Sequence, residues 1–460
     1  LITVFHHIPK TAGTSLISFL KQQFSYAETC PDRALAVNRF PAPGESPLAA
    51  PAEAERVRRF RFFCGHYYFD LTPLVGEEPF RIIFFRDPVQ RVISYYYHRR
   101  LTQDPTIERA LEKGEIGQER AAFIRSTRKM TLRDYLKHDG HGPAQDPLSD
   151  HQARVAAAAL GADPARPMTP ASAAEAASAY RMVGITERFD ASLQLLCYER
   201  GLKYPGALAA LNERGFKSPY DTSDAEAIER IRQRTGADHL IYRAAGKIFM
   251  DRYLEMVRAV LKDAGVHDRR REHALSMPFA LDSQRMILEA LDVRWRRNAP
   301  ALFEKFPHLV QAPGGTIRLK MSDAICGSGW LGRDGEDLGD PERMSRWSGP
   351  GLHSELDFVV RPGKALSVTA DIAGVIRDDI VAGLRVLANG RLMDIRLEKW
   401  GEDGRLARFA VPADCAEGNG YLSLRFTVPA AVSHHELNGA DDRRPKGFRL
   451  SSVIIEPAAA

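Results

Sequence analysis

The sequence predicts an α/β fold, a parallel sheet flanked by helices, followed by a smaller all-β domain of the sandwich kind. Three observations predict it. Short runs rich in Ile, Val and Phe alternate with helical periodicity through the first part of the chain, as strands wrapped by helices do. Helical periodicity alone follows from Ala225 to about Phe306. Beyond "FPHLVQAPGGT" the pattern shortens to alternating runs separated by Gly, Pro and Asp, the signature of an antiparallel sandwich.

In chain order, "LITVF" reads as the first strand and leads to a helix from about Ser15 to Phe24. The Pro- and Ala-rich stretch from Ala34 to Pro51 reads as a surface loop. "RFRFFCG" and "RIIFFR" are strands, the second running into the helix "DPVQRVISYYYHRR", and "YRMVGITERF" precedes the helical "DASLQLLCYERGL". The stretch 102–150 reads as loops with no legible code. "DHLIYRAAGKIFMDRYLEMVRAVL" carries long helical periodicity. In the last part, "SELDFVV", "ALSVTADI", "GLRVLANGRLMDIRL", "RFAVPA" and "YLSLRFTV" are strand-like, with Asn389-Gly390 as a tight hairpin turn. These readings place domains at 1–310 and 311–460.

Composition narrows the function classes. The chain has 460 residues, 44% hydrophobic and 27% charged, which excludes disorder as the default. Five cysteines without CxxC spacing argue against a disulfide framework or a zinc site. A net charge of +5 is too small to announce a nucleic-acid partner, although arginines cluster in "RVRRFR", "YHRR", "IRSTRK", "DRRRE" and "VRWRRN". Such runs are solvated helix faces or a positive field for anionic ligands. No segment approaches the ~18 apolar residues of a membrane span. Leu1 opens directly into a strand-like run, so the expected location is the bacterial cytoplasm unless an upstream targeting or anchor segment was removed.

Two stretches carry chemistry. In "HIPKTAGTSL" (7–16), Gly13 permits close approach, Thr14 and Ser15 offer hydroxyls and Lys10 a mobile ammonium. A Gly-bearing loop entering a helix directs N–H groups at an anion. This is not the Walker arrangement, because Lys10 precedes Gly13; the same stretch also reads as a plain turn with a solvated lysine. In the second stretch Asp87 caps a helix and Pro88 suits its first turn, leaving Arg86 at a strand's carboxyl end, where α/β folds put ligands. Ser94 lies about two helical turns on, within reach of an arginine holding the same phosphate. Val92, Ile93, Tyr96 and Tyr97 read as the core face of that helix.

"HIPKTAGTSL" and "FRDPVQRVISYYYH" resemble the 5′-phosphosulfate loop and the 3′-phosphate region of sulfotransferases that use 3′-phosphoadenosine 5′-phosphosulfate (PAPS). Among these they are similar to the heparan-sulfate 2-O and 6-O branch and its bacterial relatives. "MVGITERFDASLQLL" and "DHLIYRAAGKIF" resemble later segments of that branch, so the likeness covers about residues 1–306. The resemblance implies a P-loop-like fold, PAPS as co-substrate and no metal in catalysis. It implies that Lys10 contacts the phosphosulfate bridge, that Thr11, Ala12, Gly13, Thr14 and Ser15 hold the 5′-phosphate, and that Arg86 and Ser94 bind the 3′-phosphate. Ala12 stands where relatives often carry a second Gly.

From composition alone, His66 in "FFCGHYYFD" reads as a packed histidine; the resemblance assigns it the role of catalytic base. The second His of some relatives is here Cys64, so a second imidazole is expected to be absent. His6, His7 and His98 are weaker candidates for the base: the first two adjoin the loop and shape it, and His98 ends the aromatic helix face; Asp70 orients His66 or stands in a turn. "DHQARVAAAALG" resembles the family's Asn-x-Gln-x-Arg segment, which would let Gln152 and Arg154 reach the nucleotide or the acceptor.

The last domain looks like sandwich modules of bacterial surface-glycan enzymes, with Trp330 and Trp347 as sugar platforms or as core plugs. The expected activity is sulfuryl transfer from PAPS to a hydroxyl, on a glycan. Two alternatives stay open. One is an inactive sulfotransferase-like glycan-binding or scaffold protein; the other is a P-loop kinase, which should show a GK[ST] ending that is absent here.

Overall fold

The structure, a computed structural model, describes residues 1–31, 35, 51–112, 114, 116–137, 147–206, 224–401, 403–440 and 442–458. The first part runs β1 (Thr3–His6), α1 (Gly13–Gln22), α2 (Pro51–Arg58), β2 (Phe62–Gly65), α3 (Thr72–Val75), β3 (Phe80–Phe85) and α4 (Pro88–Arg100). It continues with α5 (Asp104–Glu112), α6 (Gln118–Thr127), α7 (Leu132–Lys137), α8 (His151–Ala158), α9 (Pro170–Ser178), β4 (Met182–Ile185) and α10 (Phe189–Arg200). Four helices come next: α11 (Ala225–Arg234), α12 (Gly236–Asp263), α13 (Asp268–Ser276) and α14 (Leu281–Leu302). Of the predicted loop at 34–51, residues 34 and 36–50 lie outside the described residues, while Pro51 opens α2.

By contacts the chain forms two compact units: Leu1–Gly13, Cys30–Ser192 and Asn212–Arg252 make the first, and Thr14–Thr29, Leu193–Leu211 and Tyr253–Ala460 the second. The first is built on a parallel sheet in the order β2-β1-β3-β4. Its strands are buried on both faces, which explains their continuous apolar runs. From β1 the chain moves to β2 on one side, then returns across β1 to β3 and on to β4. The loops after β1 and β3 therefore diverge and leave a crevice at the carboxyl ends of the strands.

Helix α4 begins as predicted, with the Asp87 carboxylate accepting from Gln90 N at 2.9 Å and Pro88 in the first turn. Val92, Ile93 and Tyr96 are buried in a cluster with Tyr135, Leu136 and Ile231, whereas Tyr97 is only half-buried against it. The stretch 102–150, expected to be loops, instead forms α5, α6 and α7 over its described part. Ile107, Ala121 and Ile124 close a small apolar cluster with Leu111 and Ile116, so this stretch has an amphipathic face that its polar composition hid.

Helices α8 and α12 cap each other. Asp150 Oδ1 accepts from Ala237 N (2.7 Å) and Asp238 N (3.1 Å) at the start of α12. Asp238 Oδ1 accepts from Ala153 N (2.8 Å) in the first turn of α8. Each carboxylate satisfies N–H groups that a helix start leaves without intrahelical partners. Asp238 is fully buried and lies 4.0 Å from the equally buried Arg91, which donates to Pro147 O at 2.6 Å. Burial still pushes the Asp238 carboxyl up to about 6 against the pull of Arg91.

In the second unit the antiparallel strands are β5 (Ile317–Lys320), β6 (Gly327–Ser328), β7 (Trp330–Asp334), β8 (Ser345–Ser348), β9 (His353–Val359) and β10 (Leu366–Val375). They continue with β11 (Arg385–Ala388), β12 (Arg391–Leu392), β13 (Ile395–Trp400), β14 (Gly404–Val411), β15 (Tyr421–Thr427) and β16 (Phe448–Pro457). One sheet runs β13-β14-β10-β16-β8-β7, with β5 also on β16; the other runs β12-β11-β15-β9-β6. Asn389 and Gly390 sit at φ 46° and 87° between β11 and β12, the left-handed pair that a tight hairpin needs. Trp330 is a core plug, 3% exposed, with ring edges against Phe426 and Phe448. The Trp347 face is covered by Lys446 and Arg449 at 5.0 and 5.7 Å.

Helix α1 is held inside this unit at its carboxyl end. Gln22 Nε2 donates to Trp330 O (2.7 Å), and the buried Arg333 guanidinium donates to the carbonyls of Lys21 (3.1 Å) and Phe24. A cation on the last carbonyls of a helix is favourable. Lys203, nearly buried, pairs with Glu355 (2.8 Å) and Asp357 (2.9 Å), and Trp295 Nε1 donates to Asp357. The fully buried Asp357 thus has its charge matched and its lone pairs filled.

Candidate active site

The crevice of the first unit is lined by the segments that leave β1, β2 and β3 at their carboxyl ends. After β1 the ladder continues for one bond, His7 N to Gly65 O at 2.9 Å, and the chain then turns through Ile8–Ala12. Lys10 and Ala12 both adopt left-handed backbone, φ 73° and 62°. For residues with a Cβ this costs about 1–2 kcal/mol each, a strain that clusters at functional sites. Left-handed residues in a tight turn direct successive N–H groups into a concavity that suits an anion. The Thr11 hydroxyl is buried and donates to Ile8 O at 2.9 Å. It staples the loop, so Thr11 offers a ligand its backbone N–H and not its side chain. Gly13 opens α1, with Thr14 and Ser15 in the first turn.

Gly13 is needed for a reason that the sequence did not suggest. A Cβ there would lie 2.0 Å from His7 Cδ2 and 2.1 Å from His7 Nε2. The close approach at Gly13 is that of the His7 ring.

Arg86 follows the last residue of β3, as predicted, and is fixed from two sides. Its backbone N–H donates to Gln152 Oε1 and its carbonyl accepts from Gln152 Nε2, both at 2.9 Å. Its Nη1 donates to Lys10 O at 3.1 Å, so the arginine braces the strained turn that carries the lysine. Ser94 lies on α4 and is 5% exposed.

Gln152 corrects the expectation that it reaches nucleotide or acceptor. Its side chain is fully buried and both ends of its amide are spent on the Arg86 backbone. It is a positioning residue, held by α8, whose start Asp238 caps. Gln152→Ala leaves the Arg86 N–H and C=O unmatched; we expect affinity for an anion at Arg86 to fall about tenfold while Gln152→Glu fails to restore it, measured by titration calorimetry. Arg154, on the same helix, is half-buried and its charge acts on Tyr68 and His151.

After β2 comes His66, half-buried, with Nδ1 2.6 Å from His7 O. A carbonyl only accepts, so Nδ1 carries a proton, and in the neutral ring the lone pair lies on Nε2. The His66 ring stacks on His7, centroids 4.5 Å apart at 24°. A second imidazole is therefore present, supplied by the end of β1 and not by the Cys64 position; this corrects the expectation of its absence. Desolvation, then the nearby charges of His66 and Lys10, hold His7 well below the usual histidine range. Beyond it, Tyr68 Oη lies 3.4 Å from Nε2 of the buried His151. Burial, then Arg91, Arg154 and His66, likewise keep His151 neutral.

Other sequence candidates lie elsewhere. Asp70 accepts from Thr72 N (2.9 Å) and pairs with Arg81 at 3.1 Å; of its two readings, the turn is the one found. His6 is fully buried with its ring edge-on to Tyr180, and burial followed by Arg81 lowers it to about 3. His98 is exposed at the end of α4. Tyr68 and His151 escaped sequence reasoning, although each stands beside a residue it singled out, His66 by two positions and Gln152 by one. Among the described residues no group of three or more His, Cys, Asp or Glu gathers to hold a metal ion, and no helix is long and apolar enough to cross a membrane.

No curated protein matches the chain. Among solved structures, the β part resembles a family 35 carbohydrate binding module from Clostridium thermocellum, at 9% identity and a TM-score of 0.23, over 31% of this chain and 99% of that one. A GH26-CBM35 β-(1,4)-mannanase from Podospora anserina matches at 12% identity and a TM-score of 0.22, over 32% of this chain and 29% of that one. The ANX2 ectodomain from Arabidopsis thaliana matches at 12% identity and a TM-score of 0.17, over 25% and 33%. The family model described as "Sulfotransferase family" matches residues 3–245, more than half of the chain and all of the crevice just described. The protein belongs to the sulfotransferase family.

Proposed function

We propose that the protein moves a sulfuryl group from PAPS to a hydroxyl acceptor, and that the acceptor is a glycan. The observation that carries the reading is the convergence of Lys10, Arg86 and His66 on the carboxyl ends of β1, β3 and β2. The residues fit the donor: it carries several anionic groups, and the crevice offers the strained Lys10–Ala12 turn and, from the end of β3, an arginine whose Nη1 rests on the Lys10 carbonyl. The glycan acceptor rests on the resemblance of "HIPKTAGTSL" and "FRDPVQRVISYYYH" to the heparan-sulfate branch.

The donor supplies an activated S–O bond to a good leaving group. In-line attack forms the acceptor O–S bond as that bond breaks, its electron pair leaving on the phosphate oxygen. His66 Nε2 takes the acceptor proton, because the Nδ1–H tautomer puts the lone pair of the neutral ring on Nε2. The Lys10 ammonium and the N–H groups of the turn offset the charge that develops on the departing phosphate. Arg86 and Ser94 hold the 3′-phosphate, and Gln152 holds Arg86.

Calorimetric titration with 3′-phosphoadenosine 5′-phosphate tests this. Binding should weaken about 10- to 100-fold in Arg86→Ala, as loss of a charge-assisted contact does, and should exceed that of ATP with Mg²⁺. Absence of binding, or preference for Mg-ATP, would leave a kinase or an inactive scaffold.

A further inference from the structure

We propose that His7 is a positioning residue for the base, so that the acceptor proton is taken by one member of a stacked imidazole pair whose geometry the phosphate turn itself sets. This rests on the sulfotransferase reading of the same site.

Three contacts carry it. The His7 carbonyl receives the His66 Nδ1 proton at 2.6 Å, which selects the tautomer with a basic Nε2. The His7 ring stacks on both Phe5 (5.7 Å, 23°) and His66 (4.5 Å, 24°), so His66 rests on a ring that is itself supported. The third is the ring's seat over Gly13, where no Cβ intervenes. His7 thus joins the residue that opens α1 to the base that follows β2. A displacement of about 1 Å at a reacting group costs roughly 100-fold in rate, so such a joint matters to turnover more than to folding.

The ring also shields the base. The titratable groups set against His66 include His7 just after β1, Tyr68 from its own segment and His151 from α8; the charge of Lys10 acts on His7, and that of Arg154 on Tyr68 and His151. The His7 ring covers one face of His66, 4.5 Å away at 24°. Removing that ring admits water to one face of His66 and leaves the charges in place.

The experiment is histidine-selective ¹⁵N NMR of the whole chain, with His66 assigned by its loss in His66→Asn, together with kcat and its pH profile. In His7→Ala the His66 pKa should rise by about half a unit to one unit, the acidic limb of kcat should move with it, and kcat should fall about tenfold with affinity for 3′-phosphoadenosine 5′-phosphate unchanged. His7→Phe keeps a stacking ring and should restore the limb and most of the rate. The proposal is overturned if the wild-type ring titrates identically in all three proteins, or if the variants lose rate only in step with their stability. The NMR readout needs no acceptor. Failure of the sulfotransferase reading shows separately, as absent bisphosphate binding.

Discussion

His66→Ala is expected to lower turnover about 10²- to 10⁴-fold, the usual worth of a general base. Affinity for 3′-phosphoadenosine 5′-phosphate should stay within about twofold, because the group removed acts only once the acceptor proton moves. The residual rate should also lose its acidic limb, since the imidazoles that remain, His7 and His151, are held well below the usual histidine range by burial and neighbouring charge and do not titrate there. Measuring kcat, donor affinity and pH profile together separates this from a folding defect. A variant that binds donor poorly, or keeps the wild-type limb, would show that His66 serves structure and that the base lies elsewhere, with the buried His151 held back by its burial.

Gly13→Ala is expected to be nearly as damaging, for a purely steric reason. Gly13 shows no left-handed φ, so alanine suits its backbone. Its methyl, however, would meet His7 at 2.0 Å. Because the His7 ring is stacked by Phe5 and His66, it yields only by pushing His66. We expect a loss of about 1–3 kcal/mol in stability, as overpacking costs, and about 100-fold in rate through the displaced base. The diagnostic is the pair: Gly13→Ala with His7→Ala should be no less stable than His7→Ala alone, because the clash partner is gone. Denaturant midpoints of the four proteins give the coupling directly; additive losses would rule out the His7 contact as the cause.

Much of the architecture was legible because it is local. The apolar runs that became β1 to β4 are buried on both faces, and a run buried on both faces has no polar alternation to disguise it. Asp87-Pro88 announced the start of α4, and Asn389-Gly390 announced a hairpin, because both act through the backbone of adjacent residues. What escaped was of two kinds. Helices α5 to α7 sit in polar sequence whose few apolar residues are informative only once they meet. Strand β16, which pairs with β10, β8 and β5, was not singled out, because its place in the sheet depends on partners 73 to 138 positions away, such as Val375 opposite Phe448 and Ile317 opposite Ile455.

The site divides along the same line. Lys10, Arg86 and His66 were legible as chemistry, since an ammonium, a guanidinium and an imidazole each stand just after a strand-like run, and in this fold those ends converge. Only the tertiary structure decided what holds them. Gln152, 66 positions from Arg86, proved to be a clamp and not a ligand; His7, 59 positions from His66, proved to be the second imidazole; and Gly13 proved to make room for a ring. The amino-acid sequence by itself determined which groups the protein can offer and which backbone ends they occupy, because residue type and local periodicity act over a few neighbours. Tautomer, orientation and support were decided by the fold, because a hydrogen bond or a stacked ring depends on distances between residues that the chain brings together from far apart.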